Sequence, residues 1–129
     1  MTVINRSDLE MVQLQGRQIQ KAVGRGAFSC SEKMTVGYAR YAREYGAMSG
    51  HQHAEETLLI LDASRGRIRF GPTQATLDEV VNVEPGMVLH IPEGEWHVFE
   101  YDEDGFVEVL FIYGQVDNIR PEEAPQSDN

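Results

Sequence analysis

The chain has a single cysteine, Cys30, so no disulfide can close within it. Its expected role is that of a small, partly buried strand residue. Cations are scarce: 11 Lys and Arg stand against 21 Asp and Glu, a net charge of −10. Binding to nucleic acid or to an anionic membrane needs a basic patch, and this balance argues against both. No apolar run approaches the roughly 20 residues of a membrane helix. The N-terminus has no basic start followed by an apolar stretch, so no signal peptide is expected and the cytoplasm is the default compartment. No phosphate-binding loop is evident either, because Gly24-Arg25-Gly26 lacks a strand-to-helix context. With 129 residues the chain suits one domain.

Helix is almost missing as well. The best signal is Ser7-Asp8-Leu9-Glu10, which fits a capping box and predicts a short helix or arm ended by Gly16. Leu9, Val12 and Leu14 would face the body. After Arg17 the period changes to two. Strands are expected at 18–23, 28–33, 34–41, 57–61, 67–70, 77–83, 87–91, 97–101 and 106–113. Gly71-Pro72, Glu84-Pro85-Gly86 and Pro92-Glu93-Gly94 mark turns, and Asp102 to Gly105 reads as a solvated hairpin turn. Many short strands between frequent turns predict an all-β barrel or sandwich, a single domain over 1–129. Beyond Asn118 the chain is poor in apolar residues, and 119–129 is expected to be a mobile or surface-draped tail.

Two stretches carry chemistry. In His51-Gln52-His53-Ala54-Glu55-Glu56 the two histidines are two apart, so in a strand they share a face. Imidazoles and a nearby carboxylate are N and O donors suited to one divalent metal. The second stretch runs from Gly86 through Pro92, Glu93 and Gly94 to His97.

Together these resemble the cupin superfamily. The family's second motif, G-x5-P-x-G-x2-H-x3-N, is met by Gly86, Pro92, Gly94 and His97, with Tyr101 in place of the asparagine. The first, G-x5-H-x-H-x3,4-E-x6-G, is met by His51 and His53, while Glu56 and Gly46 each fall one residue short of the family spacing. The resemblance covers about residues 34–113. It implies a single cupin or jelly-roll β-barrel holding one divalent ion, Fe, Mn, Ni or Zn. The implied ligands are His51, His53, Glu56 and His97, with Glu55 as the alternative carboxylate. The implied function is a metal-dependent enzyme: a dioxygenase, isomerase or epimerase, decarboxylase or lyase. The alternative is a non-catalytic small-ligand-binding or sensor cupin.

Further residues are candidates by strand parity. His90, Tyr38 and Tyr101 could act as acids, bases or hydroxyl contacts, and Arg40 could hold a carboxylate. Trp96 should face away from His97, and Tyr113 should pack in the core. A metal with one carboxylate ligand leaves a locally positive pocket, so an anionic or polyhydroxylated ligand is expected. Met87, Leu89 and Ile91 on one strand face, with Val88 and His90 on the other, suggest a strand covered on both sides and hence a homodimer.

Overall fold

The structure is a computed structural model that describes residues 1–116; the expected tail lies outside the described residues. Eight strands follow one short arm: β1 Val12–Leu14, β2 Arg17–Gly24, β3 Ser29–Cys30, β4 Thr35–Ala42, β5 Glu56–Gly71, β6 Glu79–Asn82, β7 Val88–Ile91 and β8 Trp96–Tyr113. The architecture is an all-β barrel.

Two long strands make the barrel. β5 and β8 are antiparallel partners from Glu56↔Tyr113 to Gly71↔Trp96. The ladder is interrupted midway. Leu61 is an extra residue on β5, and between Ser64↔Phe106 and Gly66↔Tyr101 it skips Arg65 on β5 and residues 102–105 on β8. Such bulges bend and twist a strand pair. Both strands therefore serve two walls. The first wall runs β1-β2-β4-β8-β5-β7, using the second half of β8 and the first half of β5. The second wall joins the other halves to β6, and His51 is bridged to His97 at its margin.

Two sequence expectations are corrected here. Asp102–Gly105 does not close a hairpin: 97–101 and 106–113 both pair with β5, and the acidic segment is a bulge at the corner. Arginines flank it, with Arg67 on Asp102, Arg65 on Asp104 and Arg43 near Glu103. The expected helix near Ser7 is only a 3-10 turn, Arg6–Asp8, whose N-cap is Asn5 without a side-chain cap. Val12–Leu14 instead pairs with Arg17–Ile19 across the Gln15-Gly16 turn, where Gly16 takes φ 82°. Hairpin pairing satisfies these backbone groups more completely than one unanchored helical turn would. Cys30 is exposed rather than partly buried.

The core follows the two-residue period of the strands. Ala39 and Tyr41 of β4, Leu58 and Ile60 of β5, and Val107, Val109 and Phe111 of β8 all point between the walls. Leu58 and Ile60 are about 1% exposed, and each such burial stabilises by about 1.5–3 kcal/mol. The opposite parity lies outside. Register places Val36, Ile112, Thr57 and His90 in one outer row and Tyr38, Leu110, Leu59 and Val88 in the next.

Candidate metal centre

Backbone pairing assembles the centre before any side chain is considered. His51 N–H donates to the His97 carbonyl at 3.0 Å, and His97 N–H donates back to His51 at 2.9 Å. Gly94 N–H donates to the His53 carbonyl at 3.0 Å. The Pro92-Gly94 turn thus ties the second motif to both histidines of the first. Gly94 holds φ 81° and Gly86 holds φ 93°, a region that residues with a Cβ resist.

The three rings converge. Ring centroids are 4.5 Å apart for His51 and His97, 4.8 Å for His53 and His97, and 5.5 Å for His51 and His53. One nitrogen from each lies within 4.8 Å of the others. The tautomers follow from the other nitrogen. Nδ1 of His51 meets the Ser49 carbonyl at 3.2 Å, that of His53 the Ala54 carbonyl at 2.8 Å, and that of His97 the Glu95 carbonyl at 2.9 Å. A carbonyl oxygen only accepts, so each Nδ1 carries a proton, and Nε2 is the ring nitrogen turned to the cluster. All three Nε2 atoms are shut off from solvent.

Glu56 enters from the first wall. Its side chain is about 1% exposed, with Oε1 at 3.5 Å from His53 Nε2 and 3.9 Å from His97 Nε2. Two donors each about 2.1 Å from one ion lie no more than roughly 4.2 Å apart, and both separations fall inside that limit. Glu55 points the other way, to the surface, where it meets His90 Nε2 at 2.5 Å. The chain bends between His53 and the start of β5 at Glu56, and this loop absorbs the parity that would otherwise favour Glu55. A donor set of three imidazoles and one carboxylate fits a borderline divalent ion such as Zn, Fe, Mn or Ni.

The other candidates lie elsewhere. Arg40, expected as a carboxylate anchor, is on the outer face: it bonds Glu108 at 3.2 Å and sits 4.1 Å over the Phe106 ring. Tyr38 is outside too, with Arg6 4.4 Å above its ring. Both are turned out because Ala39 and Tyr41 take the inner parity of β4. His90 is exposed on the outer face of β7, since Leu89 and Ile91 take the inner one. Tyr101 packs against the core, but four residues of strand set it roughly 13 Å from His97. Burial, and secondarily the nearby Tyr41, pushes its hydroxyl pKa above the ordinary 10.0. Tyr113 is buried, 5.2 Å from the His53 ring. Trp96 faces away from His97 and lines a cavity of about 410 Å³ beside His51.

The sequence reading missed the three backbone carbonyls that set the tautomers. Two of them, Ser49 and Glu95, lie two residues before a histidine, a spacing that only the folded backbone makes meaningful. It also missed a cavity of about 220 Å³ that reaches His97 between the two walls.

No family model matches the chain, and no curated protein matches its sequence. Solved structures do match. The polyketide cyclase RemF from Streptomyces resistomycificus superposes with TM-score 0.73 at 18% identity, covering 99% of this chain and 88% of that one. A cupin-2 domain protein from Rhodospirillum rubrum gives TM-score 0.63 at 16% identity over 98% of this chain and 82% of its own. KdgF from Halomonas sp. gives 0.64 at 13% identity over 91% and 96%. These likenesses define the class: the chain has the cupin superfamily fold. Within that fold it carries three clustered histidines able to hold a metal.

Proposed function

We propose that the protein is a metal-dependent cupin enzyme that acts on a small organic molecule through the molecule's oxygen atoms. The observation that carries this reading is the shared tautomer: all three buried imidazoles donate through Nδ1 to backbone carbonyls and aim Nε2 at one point. His51, His53 and His97 would hold the ion, with Glu56 supplying the carboxylate. A divalent ion in such a site acts as a Lewis acid toward a substrate oxygen. The carbonyls of Ser49, Ala54 and Glu95 keep the rings oriented, as outer partners do at metal sites. Glu56 offsets part of the ion's charge inside a barrel where solvent screening is weak. Tyr113, 5.2 Å from the His53 ring, and Phe70, the register partner of His97, set apolar surface beside the ligands. An ion of octahedral preference held by these four protein donors would keep two positions for a substrate, whereas a tetrahedral ion would keep one only if Glu56 stood aside. Dioxygenase, isomerase, decarboxylase and lyase chemistries all use such an arrangement, and a ligand-binding sensor is the alternative reading.

Metal analysis of protein purified without added metal tests the site. About one Fe, Mn, Ni or Zn per chain is expected, with loss of more than roughly 100-fold in affinity on His53→Ala or His97→Ala and an unchanged β-type circular dichroism spectrum. Full occupancy in the double variant would overturn the assignment. A substrate screen on metal-loaded protein then separates enzyme from sensor, because a sensor binds without turnover.

A further inference from the structure

We propose that the substrate carries an uncharged apolar body beside its metal-binding oxygens, and that this body lies in the slot between β7 and the second wall. This rests on the metal reading above and adds the substrate class. The slot is the cavity of about 220 Å³ that reaches His97. Leu89 and Ile91 line it from the inner face of β7, and Ile68 and Phe70 line it from the inner face of β5. Phe70 is the register partner of His97, so the apolar surface begins beside the metal centre.

Charge on the walls decides the class. Among the described residues that line it, Glu95, His90 and His97 are the ionisable ones, His90 being turned outward onto Glu55, and none is Lys or Arg. The nearby arginines face outward onto carboxylates: Arg40 and Arg6 onto Glu108, Arg69 onto Glu100, and Arg67 onto Asp102. An anionic body extending away from the metal would therefore find no Lys or Arg among the described lining residues, and a polyhydroxylated one would face aliphatic carbons that cannot hydrogen-bond. An apolar body exchanges water for Leu, Ile and Phe surface. The size is that of one substituted ring, because an apolar cavity of about 150 Å³ already accepts benzene. The larger cavity beside His51 is a different environment. It lies on the Trp96 side of the strand and contains Gln15 and Gln74, whose side-chain amides are tied to the carbonyls of Ala47 and Gly50.

Two chelators of different body test the proposal: tropolone, an apolar ring with two adjacent oxygens, and oxalate, which has the oxygens and no body. Each is titrated calorimetrically into metal-loaded protein. Leu89→Gln should weaken tropolone by about tenfold or more, the scale of a lost hydrophobic contact, and leave oxalate and metal content nearly unchanged. Leu89→Met should retain tropolone binding, because methionine refills the same space. In metal-free protein, toluene should shift the methyl resonances of Ile68, Leu89 and Ile91. Equal sensitivity of both chelators to Leu89→Gln, or tropolone binding untouched by it, would overturn the slot. So would a lack of methyl shifts with toluene. A protein that takes up no metal yet shows those shifts would overturn the metal reading and support the slot as an apolar-ligand site.

Discussion

His51 and His97 exchange both of their backbone hydrogen bonds, at 3.0 and 2.9 Å. Two residues far apart in sequence are thereby a hydrogen-bonded antiparallel pair, and such a pair places its side chains on the same face of the sheet. The centre is therefore organised by the sheet ladder, and its geometry should persist without a ligand.

The carboxylate can be assigned by two single changes. Glu56→Gln should lower metal affinity by one to two orders of magnitude, on the scale seen when a metal site loses a supporting group. Glu55→Gln should leave affinity unchanged, because it removes only a surface contact with His90. Competition with a chromophoric chelator measures both. The reverse order of effects would move the ligand to Glu55.

Gly94 couples turn geometry to the centre. At φ 81° an alanine is strained by about 1–2 kcal/mol. Space is not the obstacle, since the nearest atom to a built Cβ is Gln52 Oε1 at 3.5 Å. Gly94→Ala should lower stability by that amount in urea titrations. It should also weaken metal binding, because Gly94 N–H holds the His53 carbonyl. A wild-type unfolding midpoint in the variant would show that the turn relaxes freely.

Tyr101 predicts a pH dependence. Its folded pKa is raised above 10.0, first by burial and then by Tyr41. Above pH 10 the unfolded chain releases this proton more readily than the folded one. The stabilisation is therefore complete below pH 10 and is lost as pH rises through the folded value. Tyr101→Phe should show a shallower fall in Tm across that alkaline window. An identical slope in the two proteins would remove Tyr101 from the account.

We propose that the outer face of the first wall pairs with a second copy of the chain. Its apolar rows include Val88 at 63% exposure and Ile112 at 39%, flanked by Leu59 and Leu110. Exposed apolar residues clustered on one sheet face, here beside the polar Thr57 and His90, are a common protein–protein contact. Sedimentation at micromolar concentration should give about twice 14.5 kDa for the wild type and the single mass for Val88→Asp with Ile112→Asp. A monomeric wild type would remove the proposal.

Strand parity and motif spacing in the sequence already determined the class of fold and three members of the centre. Histidines two apart must share a face in extended chain, and Gly86, Pro92 and Gly94 encode turns through local backbone restrictions that no distant contact alters. Parity could not say which face of an isolated strand is inner. Tyr38 and Arg40 share one face of β4, and only packing against Phe99 and Val107 decided that Ala39 and Tyr41 turn in. Nor could local signals show that β5 and β8 continue through the corner, since Asp102–Gly105 has the composition of a turn whether its flanks pair with each other or with a third segment. Glu56 rather than Glu55 beside the histidines, the carbonyls behind the rings and the apolar slot at His97 all depend on where two walls meet. That is a property of long-range pairing, which a one-dimensional pattern does not contain.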